Sequence, residues 1–351
     1  MSLARPTIQA MTGYAPGEQP AAGTRIVKLN TNENPYPPSP AVMAAIADIQ
    51  PHALQRYPDP VANNFRDVAA DRHGVARDNV LAGNGSDDIL TIAIRTFVEP
   101  VDGIIAYPTP TYSLYAVLAK LQDARVVTMP WADGWQLPVD ELVAAKPALT
   151  FIVNPNSPSG TFIEPDAIAD LASRVPGVLL VDEAYADFAG ADCMGLVRDH
   201  PNVIVSRSLS KGYALAGLRF GYCVADAGLI GEMLKVKDSY NCDAVSIAAA
   251  TAALTDVDHA ARSWAAVGQE RDRVTHQLTE LGFDLLPSRA NFVLATVPTG
   301  HDAGDLYRSL KSQAILVRWF DTPGLTDKLR ITIGTPAENA ALLDALATLL
   351  G

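Results

Sequence analysis

Ser208-Leu209-Ser210-Lys211-Gly212-Tyr213-Ala214-Leu215-Ala216-Gly217-Leu218-Arg219-Phe220-Gly221 is the stretch on which the reading of this chain turns. It follows an apolar run, Val203-Ile204-Val205, of the kind that makes a buried strand. Lys211 therefore falls just past a strand end, where open α/β sheets gather their ligands. A loop lysine is ordinarily a solvated surface group. This one is flanked by small residues and hydroxyls, with Arg219 close behind it in the chain. A desolvated lysine can lose its proton, attack a carbonyl and form a Schiff base. Ser208, Ser210 and Arg219 could hold a dianionic phosphate beside it.

Working outward, strand-like runs alternate with helical patterns from about residue 79 to about residue 225. Asn79-Val80-Leu81-Ala82-Gly83 reads as a strand, followed by the turn Asn84-Gly85-Ser86-Asp87-Asp88 and a helix face of Ile89, Ile92, Ala93 and Phe97. Ser86 is the expected N-cap, with Asp87 and Asp88 in the first turn. Free backbone N–H groups at such a start can bind an anion, although the turn alone reads more readily as ordinary capping. Gly103-Ile104-Ile105-Ala106 leads to Tyr112, and Leu149-Thr150-Phe151-Ile152-Val153 to Asn154-Pro155-Asn156-Ser157-Pro158-Ser159-Gly160. Val178-Leu179-Leu180-Val181 ends in Asp182-Glu183-Ala184-Tyr185. These uninterrupted apolar runs predict a mostly parallel sheet covered on both faces by helices.

The ends of the chain read differently. Residues 1–34 show no strong periodicity and are expected to form a loop or arm. Residues 35–255 are the expected large domain. Residues 256–351 are the expected smaller α+β domain, with a long helix over 258–281 and strands at 291–294, 315–318 and 329–333. The chain has 351 residues and a net charge of −12, which opposes binding to nucleic acid or anionic membranes. Three scattered cysteines form no CxxC pair and six histidines show no ligand spacing, so no metal is assigned. No secretory signal or transmembrane run is visible, and the expected location is the cytoplasm.

The residue types at the strand ends share one chemistry. A carboxylate can keep a pyridine nitrogen protonated, an amide and a phenol can bond a ring oxygen, and an aromatic can stack on the ring. An arginine and a helix start can hold a phosphate. With Lys211, this is the set that pyridoxal 5′-phosphate requires.

Ser208–Gly221 resembles the lysine signature of fold-type I pyridoxal-phosphate aminotransferases. Asn154–Gly160 is similar to that family's Asn-Pro-Asn-Asn-Pro-Thr-Gly loop, and Val181–Tyr185 to its Val-Asp-Glu-Ala-Tyr. Within the family the chain is most similar to histidinol-phosphate aminotransferases, through Tyr14-x-Pro16-Gly17, Leu29–Pro35, Arg56–Asp59, Gly83–Asp88, Ile315–Arg318 and Leu329–Gly334. The resemblance implies that Lys211 carries the Schiff base and shuttles the proton at the substrate α-carbon. It implies that Asp182 pairs with the ring nitrogen, that Asn156 and Tyr185 hold the ring oxygen, and that Tyr112 stacks. Ser208, Ser210, Arg219 and the amides near Gly85, Ser86 and Asp87 would take the cofactor phosphate, and Tyr57 would reach it from a second subunit of a homodimer. Arg330, with Arg318, Tyr14 and Asn156, would meet the substrate. The implied reaction is transamination between histidinol phosphate and 2-oxoglutarate, giving imidazole acetol phosphate and glutamate, in histidine biosynthesis. An aromatic-amino-acid aminotransferase and a threonine-phosphate decarboxylase-like enzyme are the alternatives on the same frame. The departures are Ser157 and Ser159 in the loop, Asp88 for glutamate, and Ser239 for proline. None is expected to touch the cofactor, and only Ser239 the substrate side.

Overall fold

The computed structural model describes residues 3–21, 23 and 26–351. Its largest sheet has seven strands, in the spatial order Val80–Gly83, Gly221–Ala225, Val203–Ser208, Val178–Asp182, Leu149–Val153, Ile104–Thr109 and Arg125–Pro130. Only Gly221–Ala225 runs against its neighbours; the other pairings are parallel. Each central strand is buried along its whole length. Successive residues alternate between two apolar cores: Leu179 and Val181 face one, Val178 and Leu180 the other. That is why these segments read as continuous hydrophobic runs. Helices Asn63–His73, Pro165–Arg174 and Ala244–Thr255 pack into the first core. Helices Ser86–Phe97, Leu114–Gln122 and Ala227–Leu234 pack into the second.

This topology positions the site. Every strand except the reversed one ends on the same edge of the sheet, so Gly83, Thr109, Val153, Asp182 and Ser208 are brought together. A four-stranded sheet, in the order Arg318–Trp319, Lys328–Thr332, Phe292–Thr296 and Asp284–Leu285, forms a third core with helices Val257–Glu280, Ala303–Ser312 and Pro336–Leu350.

Three local expectations are corrected. The segment expected to be a loop or arm holds a short helix, Pro6–Gln9, and a strand, Val27–Lys28, which pairs in parallel with Ile315–Leu316. The run expected as one strand over 315–318 is split, because Ile315–Leu316 takes that partner while Arg318–Trp319 joins the four-stranded sheet. Ser86 is the first helical residue, not the cap: Gly85 holds the cap position at φ 85°, a left-handed backbone that glycine adopts without steric cost. No described helix is long and apolar enough to cross a membrane.

Candidate active site

A cavity of about 830 Å³ opens at the shared strand edge. Lys211, Asp182, Tyr185, Tyr112, Ser208 and Ser210 are in its wall. So are Ser86, Asp87, Arg219, Tyr14, Arg318 and Arg330. Residues as far apart in the chain as Tyr14 and Arg330 thus face one space. Gly85, Asn156 and Tyr57, also anticipated from the sequence, are not in the wall. Gly85 lies directly behind it, since a Cβ there would stand 2.9 Å from an Arg219 nitrogen. Asn156 is fully buried, with its amide hydrogens directed at Pro110 O, 3.3 Å, and Ser159 Oγ, 2.8 Å. Tyr57 is 81% exposed and stacks on Tyr240 at 4.4 Å between centroids.

Lys211 Nζ donates to the Thr31 carbonyl at 2.9 Å. Burial, followed by the charge of Arg330, pulls its pKa down from 10.5 to about 8; Glu33 opposes this. A lysine so placed is neutral in a usable fraction near neutrality, as a nucleophilic or proton-carrying amine must be.

Asp182 has no cationic partner among the described residues. Its Oδ2 accepts from Tyr115 Oη at 2.9 Å, and its Oδ1 from Ala184 N at 3.2 Å and more weakly from Ser206 Oγ at 3.4 Å. Burial raises its pKa to about 6, and the Tyr115 hydrogen bond is the largest opposing effect. A buried carboxylate facing a cavity is stabilised by a protonated nitrogen placed in that cavity. Tyr112 donates to Asp87 Oδ1 at 3.2 Å, and its phenol is held well above its ordinary pKa, chiefly by burial.

The anion end is built from backbone. The helix Ser86–Phe97 starts at this edge, and Gly221 packs so tightly against it that a Cβ would meet Ser86 N at 2.5 Å. Arg219, in the left-handed region at φ 57°, donates to Ser210 Oγ at 3.3 Å. A helix start, two hydroxyls and a guanidinium fit a phosphate. The donor set therefore fits pyridoxal phosphate: an amine, a buried carboxylate, an aromatic face and a phosphate cradle.

A second charged group stands apart from the first. Arg330 is half-buried; it donates to Ser157 Oγ at 3.2 Å and Asn30 O at 3.1 Å, and its buried Nε has no hydrogen-bond partner. The Phe320 ring lies under both arginines, 5.5 Å from the Arg330 guanidinium and 5.4 Å from that of Arg318. Among the described residues neither arginine forms an ion pair. Burial, then repulsion from Arg318, lowers the Arg330 pKa.

Sequence reasoning missed several of these partners. Thr31 and Asn32, which meet Lys211 and the Tyr185 phenol, lay in a polar run taken for a loop. Ser157 reads from the sequence only as a departure that does not touch the cofactor, yet it contacts Arg330. Its exchange for the usual asparagine was the one available signal.

Residues 24–346 match the family described as aminotransferase class I and II. Histidinol-phosphate aminotransferase 1 of a Nostoc species is 48% identical over 346 residues, 99% of this chain and 98% of that protein. Histidinol-phosphate aminotransferase of Rhodopirellula baltica is 47% identical, over 94% of this chain and 91% of that one. The crystal structure of histidinol-phosphate aminotransferase from Sinorhizobium meliloti in complex with pyridoxal-5′-phosphate aligns with a TM-score of 0.89 at 27% identity, covering 100% of this chain and 98% of that one. Fold, cavity and relatives agree: the chain belongs to the class I and II aminotransferases.

Proposed function

We propose that this aminotransferase uses pyridoxal phosphate to exchange an amino group between histidinol phosphate and 2-oxoglutarate, in histidine biosynthesis. The observation that carries the substrate assignment is the pair Arg318 and Arg330. Two guanidiniums that form no ion pair among the described residues, in the cavity that holds Lys211, offer a positive site for a distal anion. A guanidinium fork suits a phosphate monoester in one half-reaction and a carboxylate in the other. The relatives named above carry the same activity in their names.

When bound, pyridoxal phosphate supplies an aldehyde for the amine and a protonated ring that draws electrons from the amine's α-carbon. The chain's residues do the rest. Lys211 Nζ, neutral above about pH 8, takes the proton from the α-carbon and returns it on the far side of the transfer. Asp182 holds the ring nitrogen protonated, and Tyr112 covers the ring face. Tyr185 and Asn156 would hold the ring oxygen, and Asn156 would have to turn its amide away from Ser159 to do so. Ser208, Ser210, Arg219 and the amides of Ser86 and Asp87 would hold the phosphate, while the Gly85 amide is already given to the Gly83 carbonyl at 2.9 Å. Arg330, Arg318 and Tyr14 hold the substrate's distal group.

A homodimer acting in the cytoplasm is proposed, and the exposure of Tyr57 supports the dimer. An aromatic that is 81% exposed and stacked on Tyr240, itself 46% exposed, gains from a partner surface. Residues 1–34 are proposed as the arm, 35–255 as the cofactor domain and 256–351 as the small domain.

A panel of amines tests the substrate assignment. Histidinol phosphate is expected to give the highest kcat/KM with 2-oxoglutarate as acceptor. A clear preference for phenylalanine, or release of carbon dioxide from phosphothreonine, would overturn it.

A further inference from the structure

Tyr115 is absent from the roles assigned above. It sits in the helix Leu114–Gln122, is fully buried, and takes no part in the cavity wall. Its surroundings are nevertheless specific. The ring lies flat on Phe151, with centroids 4.4 Å apart and planes 9° from parallel. It also meets the Tyr112 ring edge-to-face, at 5.6 Å and 82°. The hydroxyl is spent on Asp182 Oδ2 at 2.9 Å. One side chain thus backs two groups that face the cofactor from different directions, the carboxylate for its ring nitrogen and the phenol ring for its face.

The Asp182–Tyr115 bond is the shortest hydrogen bond the carboxylate makes. The other titratable groups acting on Asp182 are Asp87, from the helix Ser86–Phe97, and the phenols of Tyr112 and Tyr185. Lys211 and Arg219 stand in the same cavity wall, and neither forms an ion pair with it. Burial and Asp87 both favour the protonated carboxyl, and the Tyr115 hydroxyl is the strongest group working the other way. A donor aimed at an ionised oxygen stabilises that form and fixes its direction.

We propose that Tyr115 is a positioning residue: its hydroxyl orients and keeps ionised the Asp182 carboxylate that receives the cofactor ring nitrogen, and its ring sets the tilt of Tyr112. The proposal rests on the pyridoxal-phosphate reading of this cavity, since only a protonated ring nitrogen gives the orientation of Asp182 a use.

Tyr115→Phe keeps the stack on Phe151 and removes one hydroxyl. The whole protein, freed of cofactor, is titrated with pyridoxal phosphate and binding is followed by absorbance between pH 5 and 8. Wild type is expected to bind progressively more weakly below about pH 6, as Asp182 takes up a proton. In the variant, affinity at pH 7 is expected to fall about tenfold, the scale of a lost hydrogen bond to a charged group. The acidic fall-off is expected to move upward by about one pH unit, the same free energy read as a proton affinity. Loss of affinity with the fall-off unmoved would show a packing role only and overturn the proposal, as would identical binding in the two proteins. Failure of wild type to bind pyridoxal phosphate at any pH would overturn the underlying reading instead.

Discussion

Lys211 Nζ donates a hydrogen bond to the carbonyl oxygen of Thr31, 2.9 Å away and 180 residues earlier in the chain. The segment that carries Thr31 is tied to the rest of the fold by the pairing of Val27–Lys28 with Ile315–Leu316. The amine is thereby held, buried, at the cavity wall. Its chemistry leads to the first two expectations.

Lys211→Ala is expected to abolish transamination, by several orders of magnitude, while leaving the circular dichroism spectrum unchanged. No other described lysine lines the cavity to replace the amine. Retained turnover would refute the Schiff-base role.

Capture of pyridoxal phosphate by the cofactor-free protein is expected to quicken as pH rises through about 8 and then level off. The neutral amine is the nucleophile, and the folded pKa lies below the ordinary 10.5, so the neutral form is reached at lower pH. Stopped-flow absorbance from about pH 6.5 to about 11.5, in steps of about one unit, checks this. An inflection near the ordinary lysine value would show that the amine is solvated.

Arg330→Ala is expected to raise KM for both histidinol phosphate and glutamate roughly a hundredfold, about 3 kcal/mol, if its half-buried guanidinium takes the distal anion of each as proposed. A rise confined to one substrate would separate their anion sites.

Phe320→Leu is expected to raise the same KM values about fivefold, with kcat little changed. The ring supports two guanidiniums through its face without neutralising either, an effect on the order of 1 kcal/mol at each. Isothermal titration with inorganic phosphate as a small anion gives a second readout.

Arg207→Met is expected to lower the melting temperature sharply, by a loss of about 3 to 5 kcal/mol. The Arg207 guanidinium reaches Glu183 at 2.9 Å, Asp187 at 3.1 Å and Asp192 at 2.7 Å. Glu183 and Asp187 are themselves buried and would be left without a counter-charge. Asp187 also packs on Gly212, where a Cβ would stand 2.1 Å from its Oδ2, so the loop carrying Lys211 is expected to loosen with it. Thermal melts at pH 7 measure the first effect and cofactor affinity the second.

The local sequence determined much of this protein. Val178–Val181 and Val203–Val205 announce central strands because both of their faces are apolar, and only a sheet covered on two sides buries both. Lys211, Asp182, Arg219 and the Ser86 turn were legible because each stands at such a strand end, within a few residues of the run that positions it. What only the tertiary structure decided lies where partners are remote. Thr31 meets Lys211, Ser157 meets Arg330, Phe320 lies under Arg318 and Arg330, and Tyr115 bonds Asp182 across 67 residues. A periodicity reports which face of an element is buried, not what is packed on the other side of it. The break in 315–318 has the same origin: the segment changes partner midway, and strand pairing is a contact between distant segments of the chain that no local pattern records.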